Sequence, residues 1–500
     1  MEKEILKKFI NQIKRYNLTE TFNDIKEFEN WIDGLTKKQI DNFNSLNVNP
    51  DSILFPKHLL INDNLLNCDD YIKRIDLMLK LRTEDGFYHT FDKLCDSKFL
   101  NSKHYYKDME IMSKFTNIRY ALWVIAESSF INSKYHDEDL NLILEAKDKD
   151  KRSDDLVAEC LAETAIDKNS IKSQYHQEDM KLIATCGSKC LQGAHYFPEH
   201  GVDRLAVNEV SLKDKYHLEN MQILVNHHNI DNVLYELMSD SDIINGKHYR
   251  TEVDLVANSK SELTALALYC FIRNPERTCI SHPYDKIYKH LDFKDTHMLE
   301  KRNCTSQRHQ KDYLKNLQLL SNIEDQFVMY FESLLSNIYF SNSKYKNKDI
   351  DLLLTVKDCD LFRDLYQLMT CQHSLNSIHH MQDVYTIYET KNKELRSLLL
   401  RKATNKKSLN SEYHRYDMNY ILRLDLDNLE EDQLNKMCGY LFYASFNNKN
   451  HISDLEKLYN NEPIEKTDPV LEQLDNFEKN YTERVPKNKV LSKVKKLFKK

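Results

Sequence analysis

Histidine and aspartate stand three residues apart, next to tyrosine, again and again along this chain. A His–Asp pair is the raw material of acid–base catalysis. The phrase reads NSKHYYKDM from Asn101, NSKYHDEDL from Asn132, KSQYHQEDM from Lys172 and KDKYHLENM from Lys213. It continues as NGKHYRTEV from Asn245, TSQRHQKDY from Thr305, NSKYKNKDI from Asn342, NSIHHMQDV from Asn376, NSEYHRYDM from Asn410 and NNKNHISDL from Asn447. The acceptor slot holds Asp108, Asp139, Asp179, Asn220, Glu252, Asp312, Asp349, Asp383, Asp417 and Asp454. Three residues earlier stand Tyr105, His136, His176, His217, Tyr249, His309, Lys346, His380, His414 and His451. Tyr135, Tyr175, Tyr216 and Tyr413 precede their histidines directly.

At 100° per residue, Tyr135, His136, Leu140, Ile143 and Ala146 share one arc, with Asp139 inside it. A carboxylate on a packed face is costly unless it is hydrogen-bonded. Two readings follow. In the first, each acid takes hydrogen bonds from Tyr, His or backbone N–H of its own or the adjoining copy, so the column fixes the register of a stack. In the second, the column lines a concave groove for a repetitive ligand. Ten copies of one active site make an implausible enzyme, so no catalytic residue is assigned.

A second constellation is CGSKCLQGAHYFPEHG, Cys186 to Gly201. Cys186, Cys190, His195 and His200 supply two thiols and two imidazoles, the donor set of tetrahedral zinc. The first spacing is not the usual C-x2-C, and a broken helix explains the glycines equally well, so no metal or other cofactor is assigned. Phosphate-binding glycine loops, H-E-x-x-H and G-x-S-x-G are all missing. At the C-terminal end, KNKVLSKVKKLFKK places Val490, Leu491, Val494, Leu497 and Phe498 on one stripe, among Lys493, Lys495 and Lys496. That pattern suits an interfacial helix on anionic lipid, an acidic protein groove, or a plain solvated tail.

The elements that must carry these residues are helices. The second residue of each copy is Ser102, Ser133, Ser173, Asp214, Gly246, Ser306, Ser343, Ser377, Ser411 or Asn448. All are types favoured at helix N-caps. The copies are 31 to 41 residues apart, except for one step of 60 in which Ser281 is the expected start of a degenerate copy. DGFYHTFDK at Asp85 reads as an imperfect first one. Between copies lie apolar helices, at Asn117–Phe130, Ser153–Ile166 and Ser261–Ile272, that must be covered on more than one side. A helical pair that cannot bury its own face is the unit of a stacked array.

The organisation resembles the α-solenoid class that includes HEAT, armadillo and tetratricopeptide repeats. The resemblance covers roughly Asp85 to Tyr459 and rests on period and pattern. The phrase S-x-Y-H-x-x-D-M also resembles one in uncharacterised bacterial tandem-repeat proteins, and that likeness implies no activity.

Composition agrees with an all-α chain. Among 500 residues there are seven glycines and eight prolines, too few for turn-rich β folds or phosphate loops. Lysine and asparagine abundance suggests an AT-rich, bacterial-type genome. The net charge of −7 argues against general nucleic-acid binding. The longest apolar run, Ala265–Ile272, is far below the ~20 residues of a membrane span. Met1–Asn17 reads as an amphipathic helix rather than an export signal, and eleven scattered cysteines read as reduced thiols, so a cytoplasmic location is expected.

The expected architecture is therefore an α-solenoid of about ten helical hairpins: a cap over 1–84, repeats over 85–460, and a linker with a basic tail over 461–500. The expected function is a non-catalytic protein-interaction scaffold that binds another protein or peptide. The alternatives are a membrane-peripheral adaptor recruited through the tail, and a helical-repeat enzyme or nucleic-acid-binding protein.

Overall fold

A computed structural model describes residues 3–82, 88–147, 149, 154–191, 201–273, 308, 311–444 and 449–464. The described residues are helical throughout and include no strand. Among them no helix is long and apolar enough to cross a membrane. The chain forms two compact bodies, Met1–Asn258 and Ser259–Lys500.

Within each body one module recurs: a long helix, a four- to five-residue helix, a tight turn, and a second helix that carries the phrase. Asp154–Ile166, Lys168–Lys172 and His176–Thr185 form one such module. Cys359–Thr370, Gln372–Leu375 and His380–Glu389 form another. The next is Lys393–Thr404, Lys406–Leu409 and His414–Ile421.

Local chemistry explains the short helix, which propensity alone would not hold. Asp167 accepts from the backbone N–H of Asn169 and Ser170, and Asn405 does the same for Lys407 and Ser408. At the other end the asparagine that opens the phrase folds back, as when Asn132 Nδ2 donates to the Ser128 carbonyl at 2.7 Å and Asn342 Nδ2 to the Ile338 carbonyl at 2.9 Å. The apolar residues between the caps point inward, and Phe99, Phe130 and Phe340 are fully buried.

The phrase serine does something other than the expected helix capping. Ser133 Oγ accepts from Tyr135 N–H at 3.1 Å, two residues on, before the helix begins at His136. Ser173, Ser343, Ser377 and Ser411 repeat this, and Asp214 does so through its carboxylate. The side chain closes a turn ahead of the helix rather than serving its first free N–H groups. The predicted single helix at Asn117–Phe130 is two pieces, Arg119–Val124 and Ser128–Ile131. The expected helices at 153–166 and 261–272 are present at Asp154–Ile166 and Glu262–Ile272. In the latter every side chain from Thr264 to Ile272 is buried.

Two copies of the phrase sit elsewhere than the sequence suggested. Asp312 is exposed and precedes the helix Tyr313–Asn322, so the buried slots of that module belong to Tyr313 and Asn316. The described part of DGFYHTFDK lies in a tight helix, Tyr88–Cys95, in the long-helix place ahead of the short helix Ser97–Leu100. An unmarked module ends at Met78: Asn62 caps the short helix Asp63–Leu66, and Tyr71 opens the helix Tyr71–Met78. There Tyr71 occupies the histidine slot and Arg74 the acid slot.

Candidate functional site

Packing second helix beside second helix brings each histidine onto the acid of the preceding module. His136 Nε2 lies 2.9 Å from Asp108, His176 Nε2 3.0 Å from Asp139, and His217 Nε2 3.0 Å from Asp179. In the second body His380 reaches Asp349 at 3.0 Å, His414 reaches Asp383 at 2.8 Å, and His451 bonds Asp417. These residues are buried: no histidine or acid of the six pairs exceeds 1 % exposure.

The other imidazole nitrogen is held from within the module. Ser170, Ser211, Ser374 and Ser408 place Oγ 2.8 to 3.1 Å from Nδ1 of His176, His217, His380 and His414. Each serine lies six residues before its histidine, on the short helix or turn. Where the slot holds Tyr105, Tyr249 or Lys346, the residue six before is Phe99, Ile243 or Phe340. The serine thus accompanies four of the histidines, while His136 has Phe130 at that position and takes its carbonyl instead.

The preceding aromatic covers the next histidine. Tyr135 stacks on His176 with centroids 4.7 Å apart, Tyr175 on His217 at 4.9 Å, and Tyr345 on His380 at 4.8 Å. Tyr413 lies over His451 at 4.6 Å. The tyrosines therefore shield the pair instead of donating to the acid. The Tyr175 and Tyr345 hydroxyls go to the Asp214 and Ser377 carbonyls, in the turn of the next module. Tyr216 meets Tyr249 at 6.4 Å and takes Arg250 over its ring at 4.8 Å.

Modules without histidine keep the contact by other means. Asn220 Nδ2 bonds the Tyr249 hydroxyl at 2.6 Å and the Asp214 carboxylate at 3.0 Å. The Arg74 guanidinium lies 4.1 Å from the Tyr105 ring centroid. Asp417 is shared between His451 and the fully buried Lys402, whose Nζ lies 2.5 Å from its Oδ2.

Electrostatics follow burial. Desolvation raises the carboxyls of Asp108, Asp139, Asp179 and Asp349 above their ordinary range, despite the opposing histidine hydrogen bond in each case. Burial also opposes charge on His136, yet the Asp108 hydrogen bond and charge, with the Phe130 carbonyl, outweigh it and its pKa is raised. At the opposite nitrogen the Phe130 carbonyl, 3.2 Å from His136 Nδ1, can only accept.

Ser, His and Asp in a line are also the parts of an acyl-transfer triad. Here the chain is sealed from solvent and repeated, and its acid comes from a different module than its serine. It offers no approach to a reacting carbonyl.

Of the zinc-like set, Cys186 and Cys190 are buried. Their thiols donate to the Ile183 and Val225 carbonyls. His195 and His200 lie outside the described residues, as do His309, Ser281, and Val490, Leu491, Lys493, Val494, Lys495, Lys496, Leu497 and Phe498 of the tail. Neither models of protein families nor curated proteins nor solved structures give a match to this chain.

Proposed function

We propose that the chain is an α-solenoid that works as a protein-interaction scaffold, with the His–Asp ladder as its internal register device. The observation that carries this reading is a column of apolar side chains left uncovered on the second body. The eighth residue after the ladder slot is Leu354, Tyr388, Leu422 and Tyr459 in successive modules. Leu354 is 47 % exposed, Leu422 39 % and Tyr459 36 %, and Tyr388 is half-buried.

The same position in the first body includes Leu144 and Ala257, both buried. Residues beside the column meet it from the preceding module: Thr355 Oγ1 lies 3.2 Å from the Tyr388 hydroxyl, and the Tyr420 and Tyr459 rings meet at 6.2 Å. Apolar residues repeated at one register position favour an extended partner segment over a small ligand, because each step offers the same contact again. The sealed polar ladder supports the non-catalytic side of the reading.

Two experiments test it. Small-angle scattering should give a radius of gyration well above the ~23 Å of a compact 500-residue globule. A value near that figure contradicts the solenoid. The intact chain should retain a partner from its native cell that the variant Leu354→Lys/Leu422→Lys loses at unchanged melting temperature. Equal retention contradicts the column as the docking surface.

A further inference from the structure

One junction of the ladder departs from the others in a way that changes its chemistry. At three other junctions the residue after the ladder slot helps satisfy the preceding acceptor with a donor. Gln177 Nε2 lies 3.1 Å from Asp139, Arg415 Nη1 2.7 Å from Asp383, and Arg250 Nη1 2.8 Å from Asn220 Oδ1. At the Asp108 junction that position is Asp137, a second carboxylate. The covering ring is an imidazole, as where His379 lies over His414, but closer: His104 stacks on His136 with centroids 3.9 Å apart, against 5.0 Å there.

The result is two imidazoles and two carboxylates, each offering one ligand atom within 4.8 Å of all the others. His104 Nε2 and Asp137 Oδ1 are shut off from solvent and have no hydrogen-bond partner. Buried polar atoms are seldom left so.

We infer that His104, Asp108, His136 and Asp137 bind one divalent ion of the zinc class between adjacent modules. Bonds of about 2.0–2.2 Å in a tetrahedron set ligand atoms about 3.3–3.6 Å apart. The set is close to that spacing, with Asp108 to His136 at 2.9 Å and all four ligand atoms within 4.8 Å of one another. The Phe130 carbonyl holds the proton on His136 Nδ1 and directs Nε2 at the site, the outer-sphere arrangement that orients metal-binding imidazoles.

Two carboxylates balance the ion's charge. Lys107 occupies the other oxygen of Asp137, at 2.6 Å, and leaves Oδ1 for the metal.

The repeats themselves supply safe variants. His104→Tyr restores the stacking residue found at Tyr135 and Tyr175, and Asp137→Gln restores the donor found at Gln177. The experiment titrates chelator-treated full-length protein with zinc chloride by calorimetry and follows the melting temperature. One equivalent should bind and raise the melting temperature. Both variants should fold, with affinity at least ten-fold weaker and no thermal shift.

The site is overturned if the native chain takes up no stoichiometric zinc. It is equally overturned if both variants bind as the native chain does, or if binding is abolished by Cys190→Ser and untouched by His104→Tyr.

Discussion

His217 and Asp179 belong to adjacent modules and lie 38 residues apart in sequence, yet His217 Nε2 meets both carboxylate oxygens of Asp179 at 3.0 and 3.1 Å. Ser211 holds the opposite nitrogen at 2.9 Å and Tyr175 covers the ring. Each of these groups has its partner only when the two modules dock in one register. A slip of one helical residue would bury a carboxylate and an imidazole with nothing to bond.

Removing one member should therefore cost more than removing a surface contact. Asp179→Ala should destabilise the first body by about 1–3 kcal/mol, the range for leaving a buried donor without its partner. Tryptophan fluorescence during urea unfolding reports on that body alone, since Trp31 and Trp123 are the only tryptophans. A loss below ~1 kcal/mol would show that water reaches the pair.

The serines make an internal replicate. Ser170→Ala, Ser211→Ala, Ser374→Ala and Ser408→Ala each strip a partner from a buried imidazole, at an expected ~1–3 kcal/mol per site. Hydrogen exchange at the helix that follows each serine should speed up locally. Changes scattered across unrelated helices, or none, would contradict a shared role.

Protonation gives a signed prediction. The pKa of His136 is raised in the folded chain, so its contribution to stability is complete below the unfolded value near 6.5 and is lost as pH rises through the folded value. The raised carboxyls of Asp108, Asp139, Asp179 and Asp349 act in the same sense, starting from their lower unfolded range. Chelator-treated protein should have a lower urea midpoint at pH 8.5 than at pH 6.5, and His136→Gln should flatten that slope. An unchanged slope in the variant would assign it to other groups.

Lys402 tests a place where a lysine from a long helix, Lys393–Thr404, joins the ladder. Burial lowers its pKa against the pull of Asp417, and its Nζ also lies 2.5 Å from the Leu441 carbonyl. Lys402→Met should cost about 3–5 kcal/mol in the second body, because Asp417 loses half of its compensation. The double variant Lys402→Met/Asp417→Asn should recover at least half of that loss in thermal unfolding. No recovery would mean that Lys402 acts mainly through Leu441.

Much of this was legible in the residues. The His and Asp slots, their spacing and their need for partners predict a ladder, because a repeated acid on a packed face demands a donor. The direction of the bond was not legible. A helical wheel places Tyr135 and Asp139 together, but the cross-module distance favours the histidine and leaves the tyrosine to stack. The serine six residues upstream lies outside the phrase and shows only when compared with Phe99, Phe340 and Ile243 at the same position.

The misplaced copy at Thr305 has a similar origin. Arg308 to Asp312 mimics the phrase, while the slots are taken by Tyr313 and Asn316, one aromatic and one amide that no acid–histidine pattern would select. The module of Tyr71 and Arg74 was hidden likewise, its acid replaced by a cation that pairs with a ring. Packing needs a satisfied contact at each junction, and several chemistries supply one.

The most direct measurement is a double-mutant cycle on Asp179→Asn and His217→Gln, read by tryptophan fluorescence in urea. A register device predicts a coupling energy of about 1 kcal/mol or more between two residues that share no module. Additive losses, with coupling near zero, would contradict it.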